Sequence, residues 1–386
     1  MEAWAYLNRV VEGPSRPLQE FLAAGKSAEE LANGIRRRAS WLGELGRQTQ
    51  ARYEWDRAAE DLAIAADHGA RLIVPGMDEW PTAPLDQAFG FAASGTSEHV
   101  RSYQDDAVAP HGLWVRGGDL GAAVAQSVAV VGTRAHTRYG HDATAELVKD
   151  LAAHHWTVVS GGALGIDTAA HTAALRSDGP TVAVMACGID RAYPARNAGL
   201  FDDIVAAGGC VVTEYPPGVP PQRHRFLTRN RLVAALTAGT VVVEAGWRSG
   251  ALNTLSWAEG LGKVTMAVPG PITSTGSLGC HQRIKTGTSL VTSGADIREL
   301  VGAVGEVDAS YQHELDFGPS PVQQLSRNEL RVFDALPAAG TDAGAESAAV
   351  ASAAGLTVPL TVHLLVDLGK RGMVRREGVE WFRALD

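Results

Sequence analysis

A chain of 386 residues, 45% of them apolar, is ordinary for a globular protein with a real core, and its length suggests two or three compact domains. The formal net charge of −9 weighs against nucleic acid only if charge is spread evenly, and it is not: residues 127–300 carry 15 Lys and Arg against 13 Asp and Glu, while 1–126 carry 12 against 18 and 301–386 carry 7 against 12. A polyanion needs a local patch and not a basic protein, so composition leaves nucleic acid open.

No run of about 18 apolar residues occurs, so no transmembrane helix is expected. The first residues, "MEAWAYLNRVVEG", are acidic and amphipathic, unlike a signal peptide. Cys187, Cys210 and Cys280 have no C-x-x-C spacing and cannot all pair. A reducing cytoplasm, with no membrane partner, is the expected setting.

In chain order, residues 1–75 read as short amphipathic helices, and 76–126, rich in Pro and Gly, as a lead-in with strand candidates "RLIVPG" and "GLWVRG". Near-continuous apolar runs then recur at 128–131, 157–159, 181–186, 210–213, 240–243 and 264–268, the pattern of strands buried on both faces. Helical-period segments at 139–155, 166–177, 197–207, 229–238 and 250–261 separate them. This alternation predicts an α/β fold, a doubly wound, mostly parallel, Rossmann-like sheet with right-handed crossovers. Residues 302–322 turn polar and lose periodicity, a linker by composition. Residues 323–386 begin with helices (325–336, 345–354, 358–370) and end in a β-hairpin, which suggests a small winged helix. The predicted division is a helical domain at 1–75, an extended core at 76–301, the linker, and the winged helix.

Ligands of open α/β sheets sit at the carboxyl ends of the strands. The residues collected there are Gly132-Thr133-Arg134, Ser160-Gly161-Gly162, Glu214, the run Arg223 to Arg231, Glu244, and Trp247-Arg248-Ser249-Gly250. The first loop has neither G-x-G-x-x-G nor G-x-x-x-x-G-K-[ST], and it carries an arginine where a cofactor loop keeps small residues, so no nucleotide cofactor is expected. Ser160-Gly161-Gly162 and Ser249-Gly250 put free N–H groups at helix starts, which favours an anion; tight turns alone would also explain the glycines. Arg223, Arg225, Arg229 and Arg231 cannot all face one ligand, and Arg229 stands at the expected helix start. Phe226 among them is either a surface on which a base stacks or a core anchor.

Catalysis finds little support. The histidines are scattered, there is no H-E-x-x-H or Cys/His metal pattern, and no nucleophile elbow, so neither metal nor catalytic residues are assigned. Asp167 orders a helix start, and Glu214 and Glu244 read first as structural.

The segments "VAVVGTRAHTRYG", "VVSGGALGIDTAAHTAAL", "TVAVMACGIDRAYPARN", "TEYPPG", "RFLTRNRLVAALT", "VVVEAGWRSGALNT" and "MAVPGPI" occur in that order. Together they closely resemble the DNA-processing protein A (DprA/Smf) family over about 128–297. The layout of helical, SAM-like front, Rossmann-like core and winged-helix tail is similar as well. The resemblance implies a protein that binds single-stranded DNA, loads the RecA recombinase onto it in natural transformation, and forms a homodimer through the Rossmann-like core. By position, Arg134 matches the first-loop arginine of the DNA pocket. Arg223 and Phe226 match a pair that grips phosphate and base. Arg229-Asn230-Arg231 and Ser249-Gly250 match further pocket positions. Departures are Gly162 and Leu164, where the family has Leu and Arg, then Asn253, His281 and Arg283. The alternative reading is a nucleotide-processing hydrolase using Glu214 or Glu244. A third is a regulator whose winged helix binds duplex DNA through Lys370, Arg371, Arg375 and Arg376, which the acidic balance of the tail weakens.

Overall fold

A computed structural model describes residues 1–95, 106–302, 321–322, 324–337 and 344–384. All but three residues of the expected 302–322 linker lie outside the described residues. The chain divides into two compact units, Met1–Val307 and Asp308–Asp386.

The first unit is built on a sheet of nine strands: β1 (Ala70–Ile73), β2 (Leu113–Gly117), β3 (Ser127–Val131), β4 (Thr157–Ser160), β5 (Thr181–Met185), β6 (Cys210–Thr213), β7 (Gly239–Val242), β8 (Val264–Ala267) and β9 (Ser289–Leu290). Their order is β1-β2-β6-β5-β4-β3-β7-β8-β9. Strands β3 to β9 run parallel, and β2 joins antiparallel to both β6 and β1. The sheet is the doubly wound, mostly parallel one expected, extended by an antiparallel edge.

The apolar runs are continuous because alternate residues enter different cores on the two faces. Ala129 and Val131 of β3, Val182 and Val184 of β5, and Val242 of β7 point to one face. There they meet α6 (Thr82–Ala93), α11 (Arg223–Ala235) and α12 (Gly250–Gly260). Val128, Val130, Val158 and Val241 point to the other, under α8 (Arg138–Ala153), α9 (Ile166–Arg176) and α14 (Gly294–Val301).

The half of that second face over β5, β6, β2 and β1 is covered by α10 (Ala198–Ala206) and the N-terminal helices α1 (Glu2–Val11) to α5 (Ala58–Asp67). These front helices are fastened to the sheet by buried polar contacts. Asn8 donates to the Glu214 carbonyl at 2.9 Å and accepts from the Trp114 indole at 2.8 Å. Arg9 pairs with Asp61 and donates to the Pro217 carbonyl at 2.7 Å. Strand β1 is the candidate "RLIVPG", and it begins within the last residues of the stretch read as helical. Its two apolar neighbours, Leu72 and Ile73, are buried on opposite sides of the sheet edge.

The second unit contains α15 (Arg327–Asp334), β10 (Ala345–Glu346), α16 (Ser347–Ala354), α17 (Val358–Lys370), β11 (Val374–Glu377) and β12 (Glu380–Arg383), with strand order β10-β12-β11. Val332, Phe333, Val350, Leu365, Leu368 and Trp381 form its core. Among the described residues no single helix is long and apolar enough to cross a membrane.

Candidate nucleic-acid interface

Strand order reverses between β3 and β7: β4, β5 and β6 lie on one side, β8 and β9 on the other. A crevice forms at the carboxyl ends of strands around such a switch point, and the loops there are bolted together. The Thr133 amide donates to the Glu244 carbonyl (2.7 Å), and the Ile166 amide donates to the Thr133 carbonyl (3.1 Å). Two glycines permit this approach. A Cβ at Gly132 would stand 2.5 Å from Ile166, and one at Gly165, whose φ is +95°, would stand 2.2 Å from the Thr133 oxygen.

Above this joint lies Phe226, in the first turn of α11 and half-buried. The exposed Arg134 guanidinium carbon is 5.7 Å from its ring centroid, and Arg229 approaches to 5.9 Å. The Tyr193 ring, 43% exposed, lies 5.5 Å away at a tilt of 52°. Arg223 opens the same helix and is exposed. An aromatic face with exposed cations beside it can hold an unpaired base while those guanidinium groups take the adjoining phosphates.

Arg229 is a support and not a surface arginine, because α11 begins at Arg223 and not at 229. It is buried, donates to the carbonyls of Gly161 (2.6 Å) and Val184, and contacts Asn230 Oδ1 at 3.2 Å. Its guanidinium lies over Gly161, where a Cβ would be 2.6 Å from Nη2. Burial pulls its pKa below the usual arginine range, and the neighbouring Asp167 opposes that. It brings positive charge to the underside of Phe226 without itself being open to a ligand.

The β4 loop differs from the anion cradle expected of Ser160-Gly161-Gly162. The Ser160 hydroxyl is buried and donates across the sheet to the Val130 carbonyl at 2.7 Å. Gly161 and Gly162 are buried under Arg229 and Phe201. The position an anion would take is filled by the Asp167 carboxylate, which accepts from the Ala163 amide at 3.3 Å. Burial raises Asp167 above the usual carboxylate range, against the pull of Arg229 and of the Ala163 and Gly161 amides.

Arg231 also departs from the expected pocket lining. It is wholly buried and holds Glu214 through two bonds of 2.8 and 2.6 Å. Asn230 donates to Asn253 Oδ1 at 3.0 Å, so the unusual Asn253 joins α11 to α12. Ser249 spends its hydroxyl on the Ala251 amide at the start of α12 (3.3 Å), and Gly250 is exposed. Among the other departures, Leu164 is exposed, His281 Nε2 lies 2.9 Å from the Gly270 carbonyl, and Arg283 pairs with Glu259 at 3.1 Å.

The two acids of the hydrolase reading are both engaged. Glu214 is held by Arg231, and buried Glu244 accepts from the Thr137 amide at 2.9 Å. Among the described residues no group of three or more His, Cys, Asp or Glu could hold a metal ion. Sequence reasoning missed Tyr193. The available signal was an aromatic in "GIDRAYPARN", with Arg191 and Arg196 close on either side, after a strand already placed.

The family described as DNA recombination-mediator protein A matches residues 91–302, more than half of the chain. The chain belongs to that family. A Mycobacterium tuberculosis protein that bears the DprA name is 47% identical over 343 residues, 88% of this chain and 83% of that protein. Protein Smf of Escherichia coli is 42% identical over 190 residues, 49% of this chain and 50% of its own length. The X-ray structure of DNA processing protein A from Streptococcus pneumoniae superposes with a TM-score of 0.63 at 28% identity, covering 78% of this chain and 99% of that one. The fold and the DNA-processing family read from the motifs therefore stand.

Proposed function

We propose that this chain binds single-stranded DNA, without strong sequence preference, at the carboxyl edge of its parallel sheet. The observation that carries the reading is the half-buried Phe226 set between exposed Arg134 and exposed Tyr193, with Arg229 beneath it. Duplex DNA hides its base faces in the stack, so a ring placed to receive one favours a single strand. Arg134, Arg223 and Phe226 are the contacting residues in this proposal. Gly132 and Thr133 shape the first loop, Arg229, Asn230 and Gly161 support it, and Ser249 and Gly250 flank it.

Family membership supports the wider role: protecting incoming DNA, loading a RecA recombinase in recombination, and acting as a homodimer through the core. In the second unit, helices followed by a hairpin support a winged helix for 323–386. Comparing affinity for a single strand and for a duplex of the same sequence, across a salt series, tests the reading. Tighter single-strand binding that falls steeply with salt is expected. Preference for duplex, or affinity indifferent to salt, would overturn it.

A further inference from the structure

We infer that Trp247 is a second base-stacking station, so that the strand runs along the sheet edge from Phe226 to the β7 loop. This rests on the single-strand reading above. Trp247 is 63% exposed, more than any other tryptophan of the chain. Its loop cannot fold away. Ser249 caps α12, the Ser249 amide donates to the Gly246 carbonyl at 3.1 Å, and Glu244 at the loop's base is tied to Thr133 at 2.7 Å. Gly279 packs under the same loop, its amide donating to the Ala245 carbonyl at 2.8 Å. Arg248, next in the chain, is exposed as well, so the same loop offers a cation to a phosphate.

Topology sets the order. Arg134, after β3, stands at the Phe226 station, 5.7 Å from that ring centroid, and Trp247 follows β7, the neighbouring strand. The two loops adjoin, the Thr133 amide donating to the Glu244 carbonyl at 2.7 Å. A strand that reaches both stations must therefore be longer than one held at the Phe226 station alone.

The test uses the full chain and oligothymidylates of three and twelve nucleotides. Trp247→Ala is expected to weaken the twelve-mer roughly tenfold and leave the three-mer unchanged, and Trp247→Phe, which keeps a ring, is expected to restore most of the loss. Phe226→Ala is expected to weaken both lengths. If Phe226→Ala weakens binding and Trp247→Ala does not, the second station is wrong and the single-strand site stands. Equal loss at both lengths for Trp247→Ala also overturns the second station, since the ring would then belong to the first. If neither substitution changes the twelve-mer, the single-strand reading itself fails.

Discussion

The Arg231 guanidinium and the Glu214 carboxylate are joined by two hydrogen bonds of 2.8 and 2.6 Å, with both side chains excluded from solvent. Arg231 also donates to the Asp106 carbonyl at 3.0 Å, so each of its three guanidinium nitrogens is bonded inside the protein. Arg231→Met strands a buried carboxylate and should cost about 3–5 kcal/mol of folding stability, whereas the double change with Glu214→Met removes both charges and should recover much of it. Urea unfolding of the three proteins checks this. An Arg231→Met variant as stable as the parent would show that the pair is not dry.

Arg134 and Arg138 stand four residues apart on either side of the start of α8, and their surroundings differ. Arg138 is almost fully exposed and faces Asp142 at 3.5 Å, while Arg134 lies over Phe226. Arg134→Ala should weaken single-strand binding more than Arg138→Ala and make the salt slope shallower by about one. Filter binding at several salt concentrations measures both, and equal effects would displace Arg134 from the site.

Phe226→Ala separates a stacking ring from a core anchor. The ring is half-buried, so its loss should cost roughly 1–3 kcal/mol of DNA affinity with little change in melting temperature. A core position would instead lose about 3–5 kcal/mol of stability. A melting curve and a titration on the same variant decide between them.

Two buried histidines make stability depend on pH. Burial, then the charge of Arg231, pushes His111 down to about 4; burial, then Arg229, pushes His171 down to about 3. The Thr181 hydroxyl donates to the Val158 carbonyl, so His171 Nδ1, 2.7 Å away, is the donor to Thr181. Their folded pKa values lie below the ordinary value of 6.5, so the unfolded chain takes up protons first. Their contribution is complete above pH 6.5 and drains as pH falls toward 4, by up to about 2 kcal/mol each at pH 5. Urea midpoints at pH 7 and 5 should show the loss, and His111→Gln with His171→Gln should flatten it.

The central strands were legible because parallel strands buried on both faces leave near-continuous apolar runs, and β3 to β8 fall within a residue or so of those runs. Helix α11 was legible only from its second turn onward. Its buried side is lined by Arg225, Arg229 and Arg231, so apolar periodicity does not mark it. The same arginines, of which Arg229 and Arg231 were expected to line the pocket, pair inward with Glu12, Gly161 and Glu214 at sequence separations no local pattern reports. Phe226 and Arg134 were legible as loop residues at the right edge. Their meeting with Tyr193 depends on the crossover topology, which brings residues after β3, β5 and β6 to one place.

Asp167 carries a consequence for ligand choice. A protein that recognises a free nucleotide keeps an empty phosphate seat at a helix start, and here the chain occupies that seat with its own carboxylate. A mononucleotide therefore finds no phosphate seat in the β4 loop. Under the single-strand function proposed above, affinity would then accumulate from repeated contacts along a polymer, with length and not a free end deciding it. A deoxynucleoside monophosphate that displaced bound oligonucleotide at comparable concentration would contradict this.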